Sequence, residues 1–257
     1  MKLLRSKATQ ANPQFQRLDR ADGEDNAQWL LRALASLDAG GGPDWTPILL
    51  LGGTDTLAFR LRVAQSHLRS DMLPSYWSTS ALLRIDAAKP ARARIVQVPL
   101  LQPDDGSIAT RNNGVVERPL KTVADPQRWP NIALIALPVP LATVLDKLQA
   151  FRETRNPIDA LEHVLRWLAF VWGAARSPNP LHEGIGLPSA CMLETICAAA
   201  GLDLTPGLES RASCPEAIWV AARHWQDYFV SFNDRQPVGR FCTPHLYPIE
   251  EHQAGRG

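Results

Sequence analysis

Side chains that could attack a carbonyl group, and a candidate base, lie close together in the sequence around residues 182–191. Ser189 and Cys191 stand at the start of a predicted helix, "SACMLETICAAAG", and His182 lies in the preceding loop, "SPNPLHEGIGLP". A hydroxyl or a thiol becomes a useful nucleophile when a nearby imidazole accepts its proton. His67, at the end of an earlier predicted helix, is a second candidate base. These residue types indicate hydrolysis or acyl transfer at an ester or amide bond.

Structural roles explain the same residues without any chemistry. Ser189 follows Pro188 at a helix start, so the favoured interpretation is a helix N-cap. For His67 and His182, the favoured interpretation is a surface or loop histidine. Cys191 lies about 200° around the helix from Ser189, so the two face different directions unless the helix begins in another register.

The remaining reactive residues form incomplete patterns. Ser213 and Glu216 have capping-box spacing, which explains Cys214 as part of a helix start. Cys242 and His245 form a single C-x-x-H pair, whereas zinc needs four ligands or three and a water. "LLLGGTDT" lacks the Lys-Ser/Thr ending of a phosphate-binding loop. We therefore expect no metal and no cofactor.

Two aromatic residues precede a predicted strand that begins near Thr79. Tyr76 and Trp77 belong to the segment "SYWSTSALL". Packing in the core is the favoured interpretation for both rings. The alternative is an aromatic binding surface beside a cleft.

The bulk composition excludes several classes of protein. Among 257 residues, 45% are hydrophobic and 21% are charged, and the formal net charge is +1. These values are ordinary for a globular protein and do not favour nucleic acid as a partner. The sequence has no apolar run long enough to cross a membrane. The four cysteines form no secreted-protein framework, so we expect reduced thiols and a cytoplasmic location.

The pattern of apolar residues predicts an α+β fold. A helix capped by Asp25 comes first, and the buried strand "WTPILLLGG" and a second helix follow it. Further strands are predicted at "SALLRIDA", "ARIVQVPLL", "GVVERPL" and "NIALIALPV", and helices occupy most of the later chain. We therefore expect a mainly antiparallel sheet with the helices packed on one side.

The expected organisation is a single domain with loose ends. Residues 1–24 are polar and aperiodic and are predicted to form a flexible arm. Residues 25–232 form the domain, with a helical hairpin inserted at about 139–174. Residues 233–257 have no clear period and are predicted to form a tail.

The order of these segments resembles the circularly permuted branch of the papain-like fold. That branch includes NlpC-like amidases and, more distantly, relatives of lecithin:retinol acyltransferase. "TPILLLGG" resembles the first family strand, "WSTSALL" the strand that carries the histidine, "NNGVVERPL" the later strand, and "SACMLETICAAAG" the nucleophile helix. The similarity extends over roughly residues 45 to 230.

This resemblance implies a site that has lost its catalytic groups. The family cysteine aligns with Ser189, the family histidine aligns with Thr79, and the third polar residue has no clear counterpart. A serine and a threonine cannot reproduce a thiolate activated by an imidazole. The resemblance therefore implies a pseudoenzyme that binds a protein partner, a peptide or an acyl-type ligand in its cleft.

Two other functions fit the sequence. One is a hydrolase or acyltransferase that uses Cys191 or Ser189 with His182 or His67. The other is a structural subunit of a bacterial multiprotein assembly, in which the cleft has no role.

Overall fold

The computed structural model describes residues 15–37, 44–85, 92–101, 112–153, 160–173, 176–224 and 236–247. These residues form seven strands and six α-helices. The strands are β1 (Phe15–Arg17), β2 (Thr46–Gly52), β3 (Thr79–Arg84), β4 (Arg94–Gln97), β5 (Val116–Pro119), β6 (Asn131–Leu137) and β7 (Val238–Cys242). The helices are α1 (Asn26–Ala35), α2 (Thr56–Ala64), α3 (Leu141–Glu153), α4 (Ala160–Trp172), α5 (Pro188–Ala199) and α6 (Pro215–His224).

All seven strands belong to one sheet, in the order β1-β7-β6-β2-β3-β4-β5. Each neighbouring pair is antiparallel except β1 and β7, which run parallel. The predicted α+β class and the mainly antiparallel sheet are therefore confirmed. The two central strands, β2 and β6, are buried along their whole length, as expected for strands without an alternating polar face.

The sheet separates two hydrophobic cores. Ile48, Leu50 and Leu82 belong to the core that contains residues of α2, α3, α4, α5 and α6. Leu49 and Leu83 point the other way and pack with α1, because successive side chains of a strand alternate between the two faces. We call these the α5 face and the α1 face of the sheet.

The prediction that the helices pack on one side of the sheet is therefore wrong for α1. Trp29, Leu30 and Ala33 form the buried stripe of this helix, and all three contact the α1 face. The predicted cap at Asp25 is present as a full capping box. The carboxylate of Asp25 accepts from the N–H of Gln28, and the Gln28 side chain accepts from the N–H of Asp25.

Two strands lie in segments for which the sequence predicts no regular structure. β1 belongs to the predicted arm, and β7 belongs to the predicted tail. β7 occupies an interior position of the sheet, between β1 and β6. The remaining described residues of the predicted tail also contact the domain, since the Asn131 carboxamide both donates to and accepts from the backbone of His245.

Two helices, α3 and α4, occupy the segment of the predicted hairpin at about 139–174. Both contribute to the same core as α5. On α4 the buried residues Val164, Trp167 and Val171 form a stripe at helical spacing. The Trp167 indole donates a hydrogen bond to the carbonyl of Gly186, just before α5.

The start of α6 differs from the predicted capping box. The N–H of Glu216 donates to the side-chain oxygen of Gln65, which comes from the end of α2. The Glu216 carboxylate accepts from the Ser75 hydroxyl instead of folding back on its own helix. The hydroxyl of Ser213 has no hydrogen-bond partner in the described part of the chain. A residue distant in sequence therefore caps this helix.

Candidate functional site

A cleft of about 610 Å³ opens at one end of the sheet. It lies where β2 ends, β3 begins and β4 ends, and the first turns of α2 and α5 complete its walls. Glycine allows the chain to turn tightly at the end of β2. A Cβ atom added to Gly52 would lie 1.9 Å from the carbonyl oxygen of Tyr76, so only glycine fits this close approach.

Ser189 lines the cleft, but its hydroxyl is occupied in both directions. It accepts a hydrogen bond from the N–H of Val98 at 3.0 Å and donates one to the carbonyl of Val98 at 2.9 Å. The predicted N-cap is wrong, because Leu187 is the N-cap of α5 and Ser189 lies inside the first turn. Ser189 therefore attaches α5 to the chain that follows β4.

Thr79 lines the same cleft from the opposite face of the sheet. It pairs with Leu51, whose side chain belongs to the α1 face. Ser80 pairs with Leu50, which belongs to the α5 face. Directly paired residues of antiparallel strands share a face, so Ser80 shares the face of Ser189 and Thr79 does not.

Cys191 lies near an imidazole that the sequence reasoning did not name. Its sulfur is 4.0 Å from Nδ1 of His163, on α4, and both residues are buried. The thiol donates to the carbonyl of Arg211 at 3.1 Å, and burial raises its pKa well above the ordinary value. A neutral thiol that points at a carbonyl is a poor nucleophile. His163 could have been noticed in the sequence, because it stands one turn before Trp167 on an apolar stripe.

The two predicted bases lie against each other rather than beside the cleft. The rings of His67 and His182 contact edge to face, with their centroids 4.9 Å apart. Burial, followed by the neighbouring His182, lowers the pKa of His67. Neither ring lines the cleft, so the structure does not bring these histidines to Ser189.

The aromatic pair before β3 packs inside the protein. Trp77 is completely buried, and its ring contacts Trp219 of α6. The guanidinium of Arg69 lies over the ring of Tyr76, 4.6 Å from its centroid. Neither ring is among the residues that line the cleft, which agrees with the core-packing interpretation.

The polar lining of the cleft comes mainly from residues that the sequence reasoning did not name. Ser80 and Gln97 lie on β3 and β4, Arg118 lies on β5, and Arg128 and Trp129 precede β6. Ser80 is fully buried, and neither its hydroxyl nor the indole N–H of Trp129 has a hydrogen-bond partner within the described ranges. No motif indicated these residues, since only the register of the sheet brings them to one end.

Cys242 and His245 both contact arginine side chains. The sulfur of Cys242 accepts from Arg20 at 3.5 Å. Nδ1 of His245 lies 3.0 Å from a guanidinium nitrogen of Arg62. Among the residues that the structure describes, no group of three or more His, Cys, Asp or Glu side chains is placed to hold a metal ion.

Comparisons with known proteins found no match among family models, curated proteins or solved structures. The resemblance to the permuted papain-like fold therefore stays a prediction. Within the described residues, no helix combines the length and the apolar character needed to cross a membrane.

Proposed function

We propose that this chain is a binding protein whose cleft holds a ligand without changing it chemically. The observation that carries the proposal is the pair of hydrogen bonds between the Ser189 hydroxyl and the backbone of Val98. Attack on a substrate would require this hydroxyl to leave both partners and to transfer its proton to a base.

The composition of the lining supports the same conclusion. No histidine, cysteine or lysine is among the described residues that line the cleft. Its one carboxylate belongs to Asp55, which caps α2 by accepting from the N–H of Ala58. The lining therefore offers contacts to a ligand but no activated nucleophile.

The proposal includes a distant relationship to the permuted papain-like proteins. Its support is the order of the elements, together with the position of Ser189 in the first turn of a helix that packs on β3. The opposite sheet faces of Thr79 and Ser189 count against the alignment, because a catalytic cysteine and histidine must face each other. Ligand binding does not depend on this relationship.

A cysteine hydrolase is the second candidate, supported by the 4.0 Å separation between Cys191 and His163. This pair replaces the predicted partners His182 and His67. Cys191 is 1% exposed and His163 is 4% exposed, so a substrate could reach them only after the surrounding elements opened. Native Cys191 should therefore react slowly with iodoacetamide near neutral pH.

Dye binding and turnover, measured on the same samples, test the proposal. A neutral dye that fluoresces in apolar surroundings, N-phenyl-1-naphthylamine, should bind the wild-type protein. Leu57→Trp, which narrows the cleft, should weaken that binding by about tenfold, whereas Leu31→Trp on the exposed side of α1 should not. Acyl-ester and anilide substrates should hydrolyse no faster than in buffer.

Two other results would contradict the proposal. Turnover that is lost in both Cys191→Ala and His163→Ala, together with rapid alkylation of native Cys191, would show a hydrolase. A dye that fails to bind the wild-type protein would overturn the ligand-binding proposal.

A further inference from the structure

We infer that the ligand of the cleft is a small organic anion with an apolar body, a carboxylate or phosphate amphiphile. This inference rests on the proposed function and specifies its ligand. The cleft combines positive charge, hydrogen-bond donors without acceptors, and apolar walls, and each of these restricts the chemistry of a suitable ligand.

The positive charge comes from two guanidinium groups. Arg118 is half-buried and Arg128 is exposed, and both line the cleft. In the described part of the chain neither forms an ion pair with a carboxylate, whereas the neighbouring Glu117 contacts three other arginines. Asp55 is the opposing charge, so the lining carries a net charge of about +1.

Two buried polar groups beside the cleft can each donate a hydrogen bond. The indole of Trp129 can only donate, and the Ser80 hydroxyl and the Trp129 N–H have no partner among the described residues. A buried donor left without an acceptor costs free energy, because it has lost its hydrogen bonds to water. An acceptor oxygen of a ligand would remove that cost only after the lining shifted, because neighbouring residues cover both atoms.

The start of α5 adds a further donor region. Leu187 and Pro188 line the cleft, and the N-cap Leu187 has no side chain that can accept from the first N–H groups of the helix. Such an uncapped N-terminus carries partial positive charge and favours anions. Ser80, on the same face of the sheet, lines the same cleft, whereas Arg118 pairs with Ile95 of the α1 face. The cleft at the end of the sheet therefore takes polar groups from both faces.

The apolar part of the lining requires an apolar body on the ligand. Leu57 and Leu61 of α2, Leu100 after β4, and Leu187 before α5 all line the cleft. A small hydrophilic ion, such as inorganic phosphate, would leave this surface in contact with water. The volume of about 610 Å³ lies within the range of sites for small molecules, which favours a compact amphiphile over a protein segment.

A series of probes with one chain and different head groups tests the inference. Decanoate, decyl phosphate, decanol and decylamine would each displace N-phenyl-1-naphthylamine from the wild-type protein. Decanoate should bind about tenfold more tightly than decanol, and decylamine should bind more weakly than decanol. The ratio of the dissociation constants of decyl phosphate and decanoate shows which of the two head groups the cleft prefers.

Substitutions and salt identify the cause of this preference. Arg118→Gln and Arg128→Gln should each weaken decanoate binding by about fivefold and leave decanol unchanged. Arg166→Gln, on the exposed side of α4, is the matched control and should change the affinity for neither decanoate nor decanol. Raising the ionic strength about tenfold should weaken the binding of decanoate and of decyl phosphate but not that of decanol, a measurement that needs no variant.

Two failures can be distinguished. Equal affinities of decanoate and decanol, with no response to salt or to the two arginine substitutions, would overturn the anion inference and leave the binding function standing. If decanol, decanoate and the dye all fail to bind, the inference and the proposed function both fail.

Discussion

Ser189 shows how a residue in the position of a nucleophile can serve the fold instead. Its hydroxyl donates to the carbonyl of Val98 and accepts from the N–H of the same residue, as the backbone of a neighbouring strand would. The sequence placed Ser189 at the start of a helix, and it lies in the first turn of α5, but the predicted role as N-cap is wrong. The sequence could not show the tertiary partner that determines the role of Ser189.

Replacing Ser189 by alanine should therefore act on stability rather than on chemistry. The N–H and the carbonyl of the buried Val98 would both lose their partner, at a cost of about 1 to 3 kcal/mol in unfolding free energy. Thr195→Ala is the control, since that hydroxyl only supplements a carbonyl within its own helix. Urea unfolding measures both variants, and equal stabilities would contradict the structural role of Ser189.

Glu194 is a second residue whose surroundings predict a measurable effect. Its carboxylate accepts from the N–H groups of Leu204 and Thr205 and from the Thr205 hydroxyl. Burial nevertheless raises its pKa above the ordinary value of 4.5. The folded protein therefore retains this proton at pH values where the unfolded chain has already released it.

Glu194→Gln should gain stability relative to the wild-type protein as the pH rises. At pH values between the pKa of Glu194 in the unfolded chain and its higher pKa in the folded protein, the unfolded wild-type chain binds fewer protons than the folded protein. The unfolding free energy of the wild-type protein therefore falls as the pH rises. The neutral amide has no such dependence, and its oxygen still accepts from both N–H groups. Urea unfolding from about pH 4 to about pH 7 measures the difference, and a constant difference would contradict the prediction.

At the scale of the elements, the most clearly predicted strands are those with continuous apolar character. β2 and β6 are apolar over seven residues each, and such runs indicate burial without reference to the rest of the chain. β1 and β7 escaped notice because each lies in a largely polar segment, and polar or glycine residues interrupt its apolar ones. Pairing with distant strands, rather than local pattern, defines them.

The start of α6 makes this dependence on distant residues testable. Gln65 caps the helix through the N–H of Glu216 and also donates to the carbonyls of Leu61 and Trp77. Gln65→Ala should lower the unfolding free energy by about 2 to 3 kcal/mol, because it leaves buried groups unpaired. Gln149→Ala on α3, where the exposed side chain donates a hydrogen bond to the exposed Glu153, should change it little. Thermal unfolding compares the two variants, and similar melting temperatures would refute the capping role.

At the scale of the whole molecule, one buried arginine joins three distant segments. Arg62 of α2 is fully buried and donates to the carbonyls of Ser75 and His245. Its guanidinium also lies under the ring of Tyr247, 4.2 Å from the centroid. The sequence suggested none of this, because an arginine on a helix is usually an exposed residue.

Arg62→Leu should release the segment after β7 as well as destabilise the domain. Loss of the buried cation leaves carbonyl groups without donors, at a cost of about 1 to 3 kcal/mol for each. Limited proteolysis should then cut near residues 243–247 faster than in the wild-type protein. Arg166→Leu on α4 is the exposed control, and an unchanged cleavage rate in Arg62→Leu would show that other contacts hold this segment.

Because β7 lies between β1 and β6, the described sheet cannot be completed until the chain has left the ribosome as far as Cys242. During synthesis, β1 emerges before the other six strands and has no neighbour to pair with, since its partner among the described strands is β7. For a time on the order of ten seconds, the outer edge of β6 offers unpaired backbone groups between apolar side chains. Such an edge readily joins strands of other nascent chains. We therefore expect a chaperone that covers exposed strands to raise the yield of folded protein most during synthesis, and to have little effect once β7 is in place.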